Sequence, residues 1–139
     1  MAPSTPSGRG AVRGARGFTL LELITVVALV SILAAIALPQ YKVAIIEAKE
    51  ATLREDLFRF RDLIDQYQAD KGKYPASLET LVQDGYLRVI PQDPFTKAPD
   101  WVPVFEEASP DRPGEAPGVL DVKSNSAEVS LGGTPYGEW

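Results

Sequence analysis

The sequence predicts an α+β fold, with a long N-terminal helix packed on a small C-terminal antiparallel sheet. Three observations predict it. An almost unbroken apolar run extends from Phe18 to Leu38. Helical periodicity then continues past Pro39, on a more polar stretch, as far as Gly72. Beyond Gly72 the chain is rich in turn residues and carries short alternating segments suited to strands. A chain of 139 residues has room for one modest globular domain once the apolar segment is set aside.

Residues 1–17 are short, basic and rich in Pro, Gly and Ser, which is the composition of a leader and not of a folded unit. Arg9, Arg13 and Arg16 are its only charges, so without it the formal charge falls from −5 to −8. Arginines on that side predict a cytoplasmic leader with the C-terminal body across the membrane. An acidic mature chain argues against nucleic-acid binding, which needs a basic face.

Residues 18–38 form the second segment. About 20 apolar residues suffice to cross a bilayer as a helix. Glu22 is the anomaly in this run. A carboxylate at the centre of such a helix costs roughly 2.5–3.5 kcal/mol on insertion scales, so its presence calls for a reason. One reading is a group near the helix end that reaches toward the headgroups. The other is a functional charge.

Residues 39–71 continue the helix in amphipathic form. Pro39 removes one backbone bond and crowds the preceding turn, and it biases Leu38 away from helical angles. Ile46, Leu53, Leu57, Phe60, Ile64 and Tyr67 then fall on one face. Glu50–Arg54, Glu55–Arg59 and Arg61–Asp65 are spaced to pair on the remaining surface, each worth about 0.2–0.5 kcal/mol. Gly72 is the expected stop. Unbroken from Phe18 to Lys71, such a helix would extend roughly 80 Å at 1.5 Å per residue.

Residues 72–139 are the expected head. Tyr74-Pro75 reads as an extended turn. Ser77 is a good N-cap for a short helix over residues 78–84, with Leu78, Leu81 and Val82 on its apolar face and Gly85 as its stop. Residues 101–106 read as an edge strand, because Pro103 would spoil a central one. Residues 108–117 read as a loop. Residues 119–124 and 127–131 are expected to pair as a C-terminal β-hairpin over Asn125-Ser126. Trp101, Tyr136 and Trp139 are expected to pin the sheet to the long helix.

Two motifs carry a family resemblance. The string RGFTLLELITVVALVSILAAIALP, from Arg16 to Pro39, resembles the class III signal of type IV pilins and of the pseudopilins of type II secretion systems. The segment from Lys71 to Phe95, with its YP, SL, GYL, IP and DP elements, resembles that of the major pseudopilins. The absence of cysteine also favours pseudopilins over the type IVa pilins, many of which carry a C-terminal disulfide.

The resemblance implies a type IV pilin-like fold and a set of roles. A prepilin peptidase would cut between Gly17 and Phe18 and methylate the new amino terminus. A general secretory signal instead places its cut after the apolar core. Glu22 would pair with the Phe18 amine of a neighbouring subunit, and Pro39 would be the family's helix-loosening proline. A buried pair of this kind serves register better than stability. The chain would sit in the bacterial inner membrane as a single-pass protein with its C-terminal domain in the periplasm. It would then polymerise with itself into a periplasmic pseudopilus that drives protein export. Minor pseudopilins, an inner-membrane assembly platform and the exported proteins would be its partners.

The resemblance also implies one calcium ion in the C-terminal loop, with Asp121 and Ser124 as candidate ligands. The family's Asp-Gly-rich stretch is absent after Ser124, and Lys123 adds a positive charge. The residues therefore favour a loop closed by its own hydrogen bonds, without cofactor.

No catalytic constellation is present. There is no cysteine, no histidine and no glycine-rich phosphate loop. Acid pairs such as Glu106-Glu107 read as solvated surface. Two rival functions remain open to the sequence. One is a type IV pilin of a surface filament for adhesion, motility or DNA uptake. The other is a single-pass anchored domain that binds a ligand or senses a partner.

Overall fold

A computed structural model describes residues 1–2, 17–107, 114 and 116–139. The chain divides after Pro39 into two units, Met1–Pro39 and Gln40–Trp139. The arginine leader and most of the 108–117 loop lie outside the described residues.

Helix α1 runs over Leu20–Lys71, with Pro39 inside it. Its start is set by Thr19, whose Oγ1 accepts the Glu22 N–H at 3.1 Å. This satisfies one of the amide donors that every helix start leaves open. Its end is set by Gly72, where φ is +72° and the N–H bonds the Gln68 carbonyl at 2.8 Å. Glycine reaches that left-handed conformation without steric cost.

In the second unit α1 buries one stripe: Glu50, Leu53, Leu57, Phe60, Ile64 and Tyr67. The apolar members are the expected ones, except that Ile46 is only half-buried. Glu50 corrects the sequence reading, which put it on the solvent face. Its spacing from Ile46 and Leu53 places it on the stripe itself.

Helix α2 covers Leu78–Gln83 and buries Leu78 and Leu81 against the core. Ser77 occupies the N-cap position, but its hydroxyl lies against the Thr80 hydroxyl at 3.4 Å and caps no amide. Gly85 follows at φ +81°, and both Tyr86 and Leu87 donate their N–H to the Leu81 carbonyl.

Strand β1, Val102–Phe105, pairs antiparallel with β2, Val119–Lys123. Pro103 lies opposite Val122, which a two-stranded sheet of edges tolerates. Val104 faces Asp121 and Phe105 faces Val119, so Leu120 is an extra, bulged residue. The bulge shifts the alternation, which lets Val119 and Val122 both point inward while Leu120 stays exposed. Gly118 precedes β2 where a Cβ would clash with the Tyr74 Cβ. That close approach lets the Val119 N–H reach the Pro75 carbonyl at 2.7 Å.

The expected hairpin between 119–124 and 127–131 does not form; the partner of β2 is β1. The polar residues after Lys123 are committed elsewhere. Ser124, Asn125 and Ser126 all bond through their side chains, and residues 127–131 turn back on the tail instead. Val129 bridges Pro135, and a turn closes from Ser130 to Gly133.

The core joins Leu53, Leu57, Phe60, Ile64 and Tyr67 to Leu78, Leu81, Trp101, Val119, Val122 and Tyr136. Aromatic contacts order it. Phe60 meets Trp101 edge-on at 5.1 Å, and Phe95 stacks on Tyr136 at 3.9 Å. The expected pinning to α1 is seen for all three residues: Trp101 packs on Phe60, Tyr136 bonds Glu50, and Trp139 lies against Arg54.

Candidate processing and assembly site

The N-terminal site is built from irregular chain followed by a capped helix. Gly17, Phe18 and Thr19 precede α1, and all three are exposed. Phe18 keeps 81% of its surface open. A Cβ on Gly17 would meet nothing within 4 Å, and its φ is not left-handed. The chain itself therefore has no steric or conformational need for glycine at position 17.

Glu22 lies in the first turn of α1, where the partial positive charge of the helix start favours an anion. Thr19-x-x-Glu22 is the capping-box spacing, a signal the sequence reading passed over. Every side chain from Phe18 to Leu38 is exposed, and the apolar window has a mean hydropathy of 2.6. The helix is long and apolar enough to cross a membrane. Its hydroxyls are satisfied internally. Thr25 donates to the Leu21 carbonyl at 2.8 Å and Ser31 to the Val27 carbonyl at 2.7 Å. Among the described residues the Glu22 carboxylate makes no ion pair, so it is the polar group this segment leaves for another partner.

The comparisons agree with this geometry. The family model described as the prokaryotic N-terminal methylation motif matches residues 12–38. A type II secretion system core protein G of Dickeya chrysanthemi is 30% identical over 119 residues, covering 74% of this chain and 74% of that protein. The chain belongs to the type II secretion core protein G family, the major pseudopilins. The relative in Klebsiella michiganensis is 29% identical over 142 aligned positions, covering 89% of this chain and 92% of that protein. The relative in Pseudomonas aeruginosa is 34% identical over 95 residues, 57% of this chain and 67% of its own. No solved structure matches the chain. Family membership and the apolar helix together make this pseudopilin a membrane-anchored protein.

The second nominated site is the C-terminal loop, and the structure sends its two residues to different partners. The Asp121 Oδ1 accepts the Arg61 Nε–H at 2.8 Å and the Val122 N–H at 2.7 Å. This also corrects the expected Arg61–Asp65 pair, because Arg61 turns to the sheet instead. Ser124 is buried, donates its hydroxyl to the Asp93 carboxylate, and accepts the Ser126 N–H at 3.1 Å. Among the described residues no group of three or more Asp, Glu, His or Cys could hold a metal. Asp121 and Ser124 thus bond to different partners and have none in common.

Sequence reasoning missed the residues that organise this region. Asp93 is fully buried, and its Oδ1 accepts the Phe95 N–H at 2.8 Å in a turn that Asp-Pro favours. Asp100 accepts the hydroxyl of Thr96 at 2.5 Å and the Asn125 amide at 3.0 Å, and these bonds hold its carboxyl below the usual range. Glu50 reaches the tail from α1. Its Oε1 accepts the Leu131 N–H at 2.8 Å and the Tyr136 hydroxyl at 3.0 Å. Burial, and then the Glu50 carboxylate, push the Tyr136 phenol up to about 12.

Proposed function

We propose that this chain is made as an inner-membrane precursor and cut by a prepilin peptidase between Gly17 and Phe18. The new Phe18 amine is methylated, and the chain polymerises into a periplasmic pseudopilus. Residues 18–38 anchor the precursor and later line the filament core, while the C-terminal domain lies in the periplasm. Minor pseudopilins and the inner-membrane platform guide assembly, and the filament drives exported proteins through the outer membrane. The work of the chain is structural and not catalytic.

One observation carries this reading. The methylation-motif match over residues 12–38 falls on an exposed Gly17–Thr19 outside regular structure, followed by a capped apolar helix. A peptidase needs its target bond outside regular structure, and the Thr19 cap keeps it there. Because Gly17 answers to no need of the chain itself, a requirement for a small residue there belongs to the enzyme that reads it.

Glu22 supplies register. In the lone subunit it makes no ion pair among the described residues; in a filament the Phe18 amine of a neighbour provides a partner. Such a pair must recover a desolvation cost of several kcal/mol per ion, which it does only in good geometry, so misregistered subunits are rejected. The test is to coexpress the chain with its assembly platform, shear the filaments off and image them. Filaments whose subunit peptides map to this chain support the reading. A chain that stays in the membrane fraction while filaments form without it overturns it.

A further inference from the structure

We propose that the C-terminal tail of this pseudopilin is held by a charged clamp on α1 that takes the place of a divalent cation. Three residues of one helix reach the tail. Glu50 is buried and accepts from Leu131 and Tyr136 on the same oxygen. Arg54 lays its guanidinium 4.4 Å from the centre of the Trp139 ring, a cation–π contact. Arg61 bridges strand and tail, with Nε on Asp121 at 2.8 Å and a terminal nitrogen on the Trp139 main-chain oxygen at 2.6 Å.

The clamp and a cation compete for the same oxygen. A calcium ion needs six to eight oxygen ligands at about 2.3–2.6 Å. The Asp121 Oδ1 already accepts two N–H donors, one of them cationic. An ion bound there would sit against the Arg61 guanidinium, a like-charge contact. The neighbouring carboxylates are also engaged: Asp93 by Ser124, Phe95 and Thr96, and Asp100 by Thr96 and Asn125. The arrangement serves the purpose a metal would serve. It joins β2, the tail and the long helix through one set of charges, and it does so without depending on the ion content of the surroundings.

The test uses the full-length protein in detergent micelles, with calcium chloride alone as the probe. Tryptophan fluorescence follows melting, since Trp101 and Trp139 both lie in this region. The expected melting temperatures in excess calcium and in chelator agree within about 1 °C. A calcium-dependent rise of more than about 4 °C, lost in Asp121→Asn, overturns the proposal. The clamp itself is tested by charge exchange. Arg61→Glu and Asp121→Arg should each lower the melting temperature equally in calcium and in chelator. The double variant should recover at least half of the loss, and if the single variants fail to fold, the double should regain folding. A double variant no more stable than either single one shows that the pair does not hold the tail.

Discussion

Glu50→Ala is the sharpest perturbation of the head, because its effect can be worked from named bonds. The carboxylate is buried, and one oxygen accepts both the Leu131 N–H and the Tyr136 hydroxyl. Alanine leaves both donors without an acceptor. Tyr136 is 1% exposed, so no water replaces the lost bond. A buried donor left unsatisfied costs about 1–3 kcal/mol, and that applies in full to Tyr136. Leu131 is 48% exposed, so water can partly replace its bond and its share is smaller. The Arg54 pair, at 3.6 Å with Arg54 side chain 63% exposed, adds at most about 0.5 kcal/mol. The expected loss is about 2–4 kcal/mol. For a domain of this size that lowers the melting temperature by at least about 8 °C. Glu50→Gln keeps an acceptor oxygen and should lose only about 1 kcal/mol. The assay is thermal and urea unfolding of the two variants beside the parent. A Glu50→Ala protein that melts within about 2 °C of the parent would refute the reasoning.

Other outcomes test other parts of the account. Glu22→Leu should insert in the membrane at least as well as the parent, since an acid is removed from the apolar segment; filament yield should fall, and normal yield and secretion would sink the pairing idea. Gly118→Ala should destabilise by about 1–3 kcal/mol in urea unfolding, because the new Cβ meets Tyr74. The Tyr136 phenol is raised from 10 to about 12 in the folded state, so its contribution is fully present below pH 10 and is lost as pH rises toward about 12. Alkaline titration of stability should therefore show a decline in that window, smaller in Tyr136→Phe.

Much of this fold was legible because it rests on local pattern. The stripe from Leu53 to Tyr67 follows from spacing alone, and Gly72 and Gly85 stop their helices for the conformational reason that predicts them. The misses share a different cause. A carboxylate such as Glu50 is expected on the surface by its chemistry, although the spacing already puts it on the stripe. Helical spacing pairs Arg61 with Asp65 one turn away, whereas its partner Asp121 lies 60 residues along the chain. Proximity in sequence pairs the 119–124 strand with 127–131, whereas β1 is its partner. Local rules identify elements; long-range charge pairs and strand partners depend on how those elements pack. At the N-terminal site the residues were readable, and the missing piece was the Thr19 cap.

Whether the chain is a processed pseudopilin is read from the mass of its mature N-terminus. Filaments should be purified, the subunit digested, and its N-terminal peptide sequenced by mass spectrometry. The account predicts a peptide that begins at Phe18 and carries one methyl group on its amine. A filament subunit that retains residues 1–17, or that begins elsewhere in the apolar run, would contradict it.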